Sequence, residues 1–209
     1  MKKFISIIGV VLLFLLSSTL FAQSGATKFS LQYNYGLPLG DLKNNYIANS
    51  SPRGFMGDLS FGLNNKWALG LGIGYQDYYQ KYDRVVYDLA KNQQVSAVLS
   101  NSIQTVPLLF KAYYTPLGGT GLIQPYVSAG AGISFVTYNQ YLGEFSSYSD
   151  SKGRLAALAD AGVIVPFKMR NAGVSFLLGA SYNYTAFKES NASNLTNLGI
   201  HAGFTFALH

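Results

Sequence analysis

From residue 27 onward, apolar and small or polar residues alternate one by one. The pattern is clearest where Trp67, Leu69, Leu71, Ile73 and Tyr75 interleave with Ala68, Gly70, Gly72 and Gly74. Successive side chains of a strand point to opposite faces, so such a run has one apolar face and one nearly bare face. The alternation recurs over about 27–36, 54–63, 67–76, 103–115, 124–137, 155–168, 173–186 and 197–208. A soluble sheet would bury its apolar face under a second layer, and no helical or second-sheet pattern supplies one. Lipid is the remaining partner, and only helices and closed barrels satisfy their backbone in lipid. The pattern predicts an all-β fold, an eight-stranded antiparallel transmembrane up-and-down β-barrel.

Parity assigns the faces. Outward positions include Phe29, Leu31, Tyr33 and Tyr35, then Leu69, Leu71 and Ile73, and later Ala129, Ala131 and Ile133. None of the outward positions is charged, as expected where Arg or Lys costs roughly 2–4 kcal/mol at mid-membrane. The inward face carries Ser30, Gln32, Asn34, Asp58, Gly70, Gly72, Thr105, Lys111, Ser128, Gly130, Asp160, Gly162, Ser181, His201 and Thr205. Small side chains suit the narrow interior of eight strands. A soluble lipocalin-like barrel would invert this arrangement.

Connections alternate short and long. Residues 64–66, 118–121 and 169–172 read as turns, whereas 37–53, 77–102, 138–154 and 187–196 are long. That alternation places both termini on the short-turn side, the periplasmic side of an outer-membrane barrel. Phe29, Trp67, Tyr114, Phe167 and Phe206 fall near the short-turn end; Tyr35, Phe55, Tyr75, Phe135 and Tyr184 fall near the other. Two interfacial aromatic girdles are therefore expected. Pro107, Pro125 and Pro166 each lack a ladder donor, which predicts bulges or strand ends.

The N-terminus adds a destination. Lys2 and Lys3 precede an uncharged apolar run from Phe4 to Leu16, followed by small residues up to Ala22. This is the layout of a secretory signal peptide, too short for a comfortable spanning helix. Residues 1–22 are expected to be signal, cut after Ala22 or alternatively after Ala26, and 23–209 to be the barrel domain. A retained N-terminal anchor is the competing reading. Absence of cysteine excludes a lipoprotein anchor, disulfides and thiolate metal sites. Only 11% of residues are charged, against about 25% in ordinary soluble domains. The net charge of +6 is scattered, with no basic stripe for nucleic acid. Outer-membrane lipid is the expected partner of a monomer, joined by an extracellular or envelope protein if the loops bind one.

The run Ile103-Gln104-Thr105-Val106-Pro107-Leu108-Leu109-Phe110-Lys111-Ala112-Tyr113-Tyr114, followed by Gln124-Pro125-Tyr126-Val127-Ser128-Ala129-Gly130-Ala131-Gly132, resembles a family signature. It is similar to the central segment of the outer-membrane β-barrel domain family of Bacteroidetes-type bacteria. That family includes PorT-like proteins and is similar in architecture to small OmpX- and OmpA-type barrels. The resemblance covers the mature chain and implies fold and an outer-membrane location far more than an activity. It also implies one specific role, an accessory component of protein secretion.

Candidate chemistry is sparse. Asp58, Lys111, Asp160 and His201 are all inward by parity and fall at similar heights. They read as a lumenal ion-pair network, because an isolated charge there would be costly; the alternative is an ion-conducting lumen. A hydrolase would need a His paired with a nucleophile or carboxylate in a reachable site. Of the two histidines, His201 points inward and His209 is terminal, so no enzyme activity, cofactor or metal is expected. In the long connections, Tyr78, Tyr79, Tyr82, Tyr87, Tyr141, Phe145 and Tyr148 are candidate surface-contact residues. The favoured reading makes them decoration on an aqueous hairpin, with strands three to six extending past the membrane. Taken together, the chain reads as a non-enzymatic structural or surface-interaction barrel with four extracellular loops above a filled lumen, or else as a passive channel for small or apolar solutes.

Overall fold

The computed structural model describes residues 27–89, 93–118, 121–143, 145–167, 173–189 and 192–208. The expected signal peptide, its cleavage site and the 169–172 turn lie outside the described residues. Eight antiparallel strands close into a barrel in sequence order. They are β1 (Thr27–Leu39), β2 (Ser51–Gly62), β3 (Trp67–Leu89), β4 (Gln93–Tyr114), β5 (Gln124–Leu142), β6 (Phe145–Pro166), β7 (Val174–Glu189) and β8 (Ala192–Leu208). Closure runs from Thr27↔Leu208 to Leu39↔Thr196, so no edge remains along the body of the barrel. No described helix is long and apolar enough to cross a membrane, which says nothing about strands.

The parity assignment carries through the ladder. Leu71, Ile73, Phe110, Ile133, Leu178 and Ile200 are exposed, while their in-between neighbours face the lumen. An outer surface of Phe, Leu, Ile and Ala side chains is stable only against hydrocarbon. Aromatic rings pair across strands at the lower rim: Phe29 lies 6.5 Å from Phe206 and Trp67 lies 4.7 Å from Tyr114. At the upper rim Tyr33 meets Phe55 edge-on at 5.7 Å, and Tyr35 hydrogen-bonds Ser50. Trp67 and Tyr75 are thus the two ends of a span of about nine residues, the length a tilted transmembrane strand needs.

Local chemistry explains the turns. Asn64 Oδ1 accepts from the backbone N–H groups of Lys66 and Trp67 at 2.8 and 2.9 Å, an Asx turn closing β2 onto β3. Gly118 sits at φ +58°, where a Cβ would be strained, and its N–H closes onto Thr115. Pro125 and Pro166 fall at strand ends. Pro107 behaves differently from the expected bulge: the β3–β4 ladder passes from Ile73↔Leu108 to Gln76↔Thr105 without changing register.

Strands three to six do extend past the expected span: residues 77–102 and 138–154 are largely the continuations of β3, β4, β5 and β6. The expected 187–196 loop is likewise corrected to continuations of β7 and β8, paired up to Glu189↔Ala192. The β3–β4 ladder runs to Leu89↔Gln93, and the β5–β6 ladder to Leu142↔Phe145. β2 stops pairing with β3 at Gly54↔Gln76, and β7 pairs with β6 only from Ala156 onward. A four-stranded sheet β3-β4-β5-β6 therefore rises past the barrel rim on one side. The β1–β2 connection also departs from a surface loop. It makes a short π-helical turn, Leu42–Tyr46, that folds into the barrel mouth. Gly40 allows this at φ +51°.

Candidate functional site

Inward positions recur every second residue on each strand, so the lumen is built in layers. A layer in the half nearer the short turns is charged. Lys111 Nζ, on β4, donates to Asp58 Oδ1 of β2 at 2.9 Å, and both groups are buried. Gln32 Nε2 adds a 2.8 Å bond to the other Asp58 oxygen. The Lys111 ammonium also lies 5.2 Å from the Tyr113 ring centroid, within cation–π range. Gly72 and Gly130 clear the way for this side chain. A Cβ on Gly130 would come within 2.8 Å of Lys111 Cγ, and one on Gly72 within 2.8 Å of Cδ. Parity alone presents these glycines as generic small lumen residues; their specific task is to seat one long cation.

The other two members of the predicted network form a second half. His201 Nε2 lies 3.4 Å from Asp160 Oδ1 and 3.1 Å from the Tyr126 hydroxyl. Tyr126 donates toward the same carboxylate at 3.4 Å, and Ser128 Oγ does so at 3.3 Å. Lys111 thus bonds to Asp58, while Asp160 is held by His201 and hydroxyls. Gln32, Tyr113 and Tyr126 were missed among the site residues although their parity points inward. Among the described residues, no group of three or more His, Asp or Glu side chains is placed to hold a metal.

Above the charges lies a small apolar layer of Leu109, Ala156 and Leu158 with Met56 packed on it. Next comes an uncharged polar layer. Asn34 Nδ2 donates to Gln76 Oε1 at 2.9 Å, and Asn183 Nδ2 to Asn197 Oδ1 at 3.0 Å. The topmost layer is an apolar cap of Leu42, Tyr46, Ile47, Tyr78, Ile103, Val136, Phe187 and Leu195. Tyr46 meets Phe187 and Tyr138 edge-on at 5.9 and 5.4 Å. Its backbone carbonyl accepts from Tyr82 at 2.9 Å and Asn101 at 3.4 Å, which ties the turn to the raised sheet.

That cap corrects one predicted contact residue. Tyr78 has no exposed surface; it lies above the upper aromatic ring, pointing into the mouth. Burial pushes its phenol well above the ordinary tyrosine range, which keeps it neutral. Tyr82 braces the plug, and Tyr141 is half-buried on β5. Tyr79 is exposed at 40% and lies 5.7 Å under the Arg53 guanidinium, which itself pairs with Asp77 at 2.8 Å. Tyr87 belongs to β3, and Phe145 and Tyr148 to β6; their side chains lie outside the described residues. Ile103, Val136 and Leu195 share the inward phase of the polar lumen residues, and this signal could have marked the cap. Leu42 and Ile47 follow no period.

No family model matches this chain, and no curated protein sequence matches it. Solved structures do resemble it. The attachment invasion locus protein Ail of Yersinia pestis, solved with the heparin analogue sucrose octasulfate, is 17% identical; the match covers 88% of this chain and all of Ail, with a TM-score of 0.46. A major outer membrane protein of Thermus thermophilus is 14% identical over 88% of this chain and all of that one, with a TM-score of 0.48. The N-terminal β-barrel domain of Pseudomonas aeruginosa OprF is 16% identical over the same shares, with a TM-score of 0.45. The barrel assignment stands on the closed strand ladder itself.

Proposed function

We propose that this chain is a non-enzymatic outer-membrane barrel whose task is surface contact, made by the raised β3–β6 sheet. The sheet is the observation that carries this reading. A transmembrane strand needs about 9–11 residues, whereas β3, β4 and β6 have 23, 22 and 22. The extra length is ordered pairing, which positions side chains more firmly than a loop would. Tyr79, Val85 and Val86 are exposed on it at 40%, 53% and 55%. Asp150 and Lys152 pair at 2.7 Å on β6, the kind of charge that keeps a free edge from indiscriminate strand addition.

The lumen supports the same reading. A paired charge layer, an apolar layer and an aromatic plug succeed one another along its axis, which disfavours a standing channel. Conductance in planar bilayers separates the two: the closed-lumen reading expects none, and reproducible openings would put the passive channel first. The contact role is tested by a photo-crosslinking residue at Val86 in intact cells, with Ile133 as the lipid-facing control. A discrete protein adduct at Val86 alone is expected. Equal lipid-only labelling at both positions would contradict the proposal. The accessory role in secretion draws only on the PorT-like resemblance of 103–132, and a secretion component retained through mild-detergent purification would be its sign.

A further inference from the structure

The layers leave a cavity of roughly 40 Å³ between the apolar layer and the plug, in the uncharged polar part of the lumen. Its upper limit follows from the strand period. The inward residues next above Gln76, Thr105, Ser134 and Asn197 are Tyr78, Ile103, Val136 and Leu195, all members of the cap. Below it, Met56 and Leu109 separate it from Asp58 and Lys111. No charged side chain lines it.

Two atoms of the lining are orphaned. Asn34 Oδ1 and Ser134 Oγ are buried and have no hydrogen-bond partner on the protein. Their residues are only 4% and 0% exposed. The Asn34 amide cannot relieve this by turning over. Gln76 Nε2 donates to the Ser51 carbonyl at 3.3 Å, which leaves Gln76 Oε1 to accept from Asn34 Nδ2 and Asn34 Oδ1 as the terminal acceptor. Buried polar groups of native proteins are almost always satisfied by protein or by ordered water.

We propose that this chamber is a binding site for small neutral molecules that donate hydrogen bonds. An anion would face the Asn34 carbonyl oxygen, and a cation would have no carboxylate to pair with. About 10–15 Å³ of such space holds one water, so the chamber accommodates about three waters, or one solute of the size of formamide or urea. Both sources share the required chemistry, an O–H or N–H directed at Asn34 and Ser134. The β1–β2 plug lies above it. The inference goes beyond the surface-contact reading and does not depend on it.

The test uses the folded protein in lipid nanodiscs. Water relaxation dispersion counts long-lived internal waters, and the side-chain amide resonances of Asn183 and Asn197 are followed while formamide or sub-denaturing urea is added. Long-lived waters, about three of them by the same volume per water, that disappear in Ser134→Leu identify water as the occupant. A saturable amide shift with formamide or urea, abolished in the same variant, identifies a solute. Should Ser134→Leu fail to fold, Ser134→Ala keeps the space while removing one partner, and it should shorten the water residence time or weaken the saturable shift several-fold. Absence of both signals, or signals untouched by the Ser134 variants, overturns the proposal.

Discussion

At the residue scale, the decisive partnership is Lys111 with Asp58. Removing one member of a buried pair typically costs about 3–5 kcal/mol, whereas removing both can be nearly neutral. Lys111→Met should therefore destabilise the barrel strongly in urea unfolding from lipid vesicles, and adding Asp58→Asn should recover much of the loss. Adding Asp160→Asn instead should recover less, because His201, Tyr126 and Ser128 hold that carboxylate. Equal recovery by the two acids would show that the four groups act as one undivided cluster. Parity brought all four residues to one lumen but could not choose between the acids. That choice is made by side-chain reach and by Gly72 and Gly130, and alternation records neither.

At the element scale, the β1–β2 turn and the raised hairpins are the features that alternation did not reveal. The reason is physical. Within the membrane one face meets lipid and the other a confined lumen, so a strand reads as sharp alternation. Beyond the plug both faces of β3 meet water, so contrast is lost: Asp83, Arg84, Val85 and Val86 are exposed one after another, past a register shift between Lys81 and Arg84. The plug is assembled from contacts with several strands, and nothing in 40–47 has a period. Ile47→Ala removes a fully buried side chain and should cost about 2–5 kcal/mol of local packing. The visible result should be faster protease cleavage within 40–50 on intact vesicles, with the barrel body still protected. Unchanged cleavage would mean that the turn does not depend on its apolar anchors.

The hairpin boundary permits a sharper contrast. Leu71 and Val85 are both apolar residues of β3 exposed at 53%, so exposure alone does not distinguish them. Leu71 lies between the aromatic rings, so Leu71→Arg should cost roughly 2–4 kcal/mol and lower the folding yield in vesicles. Val85 lies beyond the rim, so Val85→Arg should leave the yield within the scatter of the unmodified protein. Similar losses at both sites would place the hairpin in lipid and erase the raised sheet.

At the scale of the whole molecule, the sequence pattern made the architecture legible: eight strands, their order and the face of each residue. Period-two alternation is a direct physical record of two different solvents, and the closed ladder agrees with it from Thr27↔Leu208 around to Ala156↔Thr185. The height of the molecule was legible only in the rings spread over 77–102 and 138–154, because pairing above the membrane needs no apolar stripe. The central claim is therefore a position, with residues 67–75 across the hydrocarbon and residues 77–89 above it. The chain has no cysteine, so single spin labels can be placed along β3 without background. Oxygen and water-soluble nickel accessibility of labels at positions 67 to 86, in lipid vesicles, measures that position directly. Period-two alternation with oxygen maxima at Leu71 and Ile73 is predicted, giving way to nickel access at Tyr79 and Val85. Nickel access at Leu71 and Ile73, or oxygen-rich and nickel-poor labels at Val85 and Val86, would contradict it.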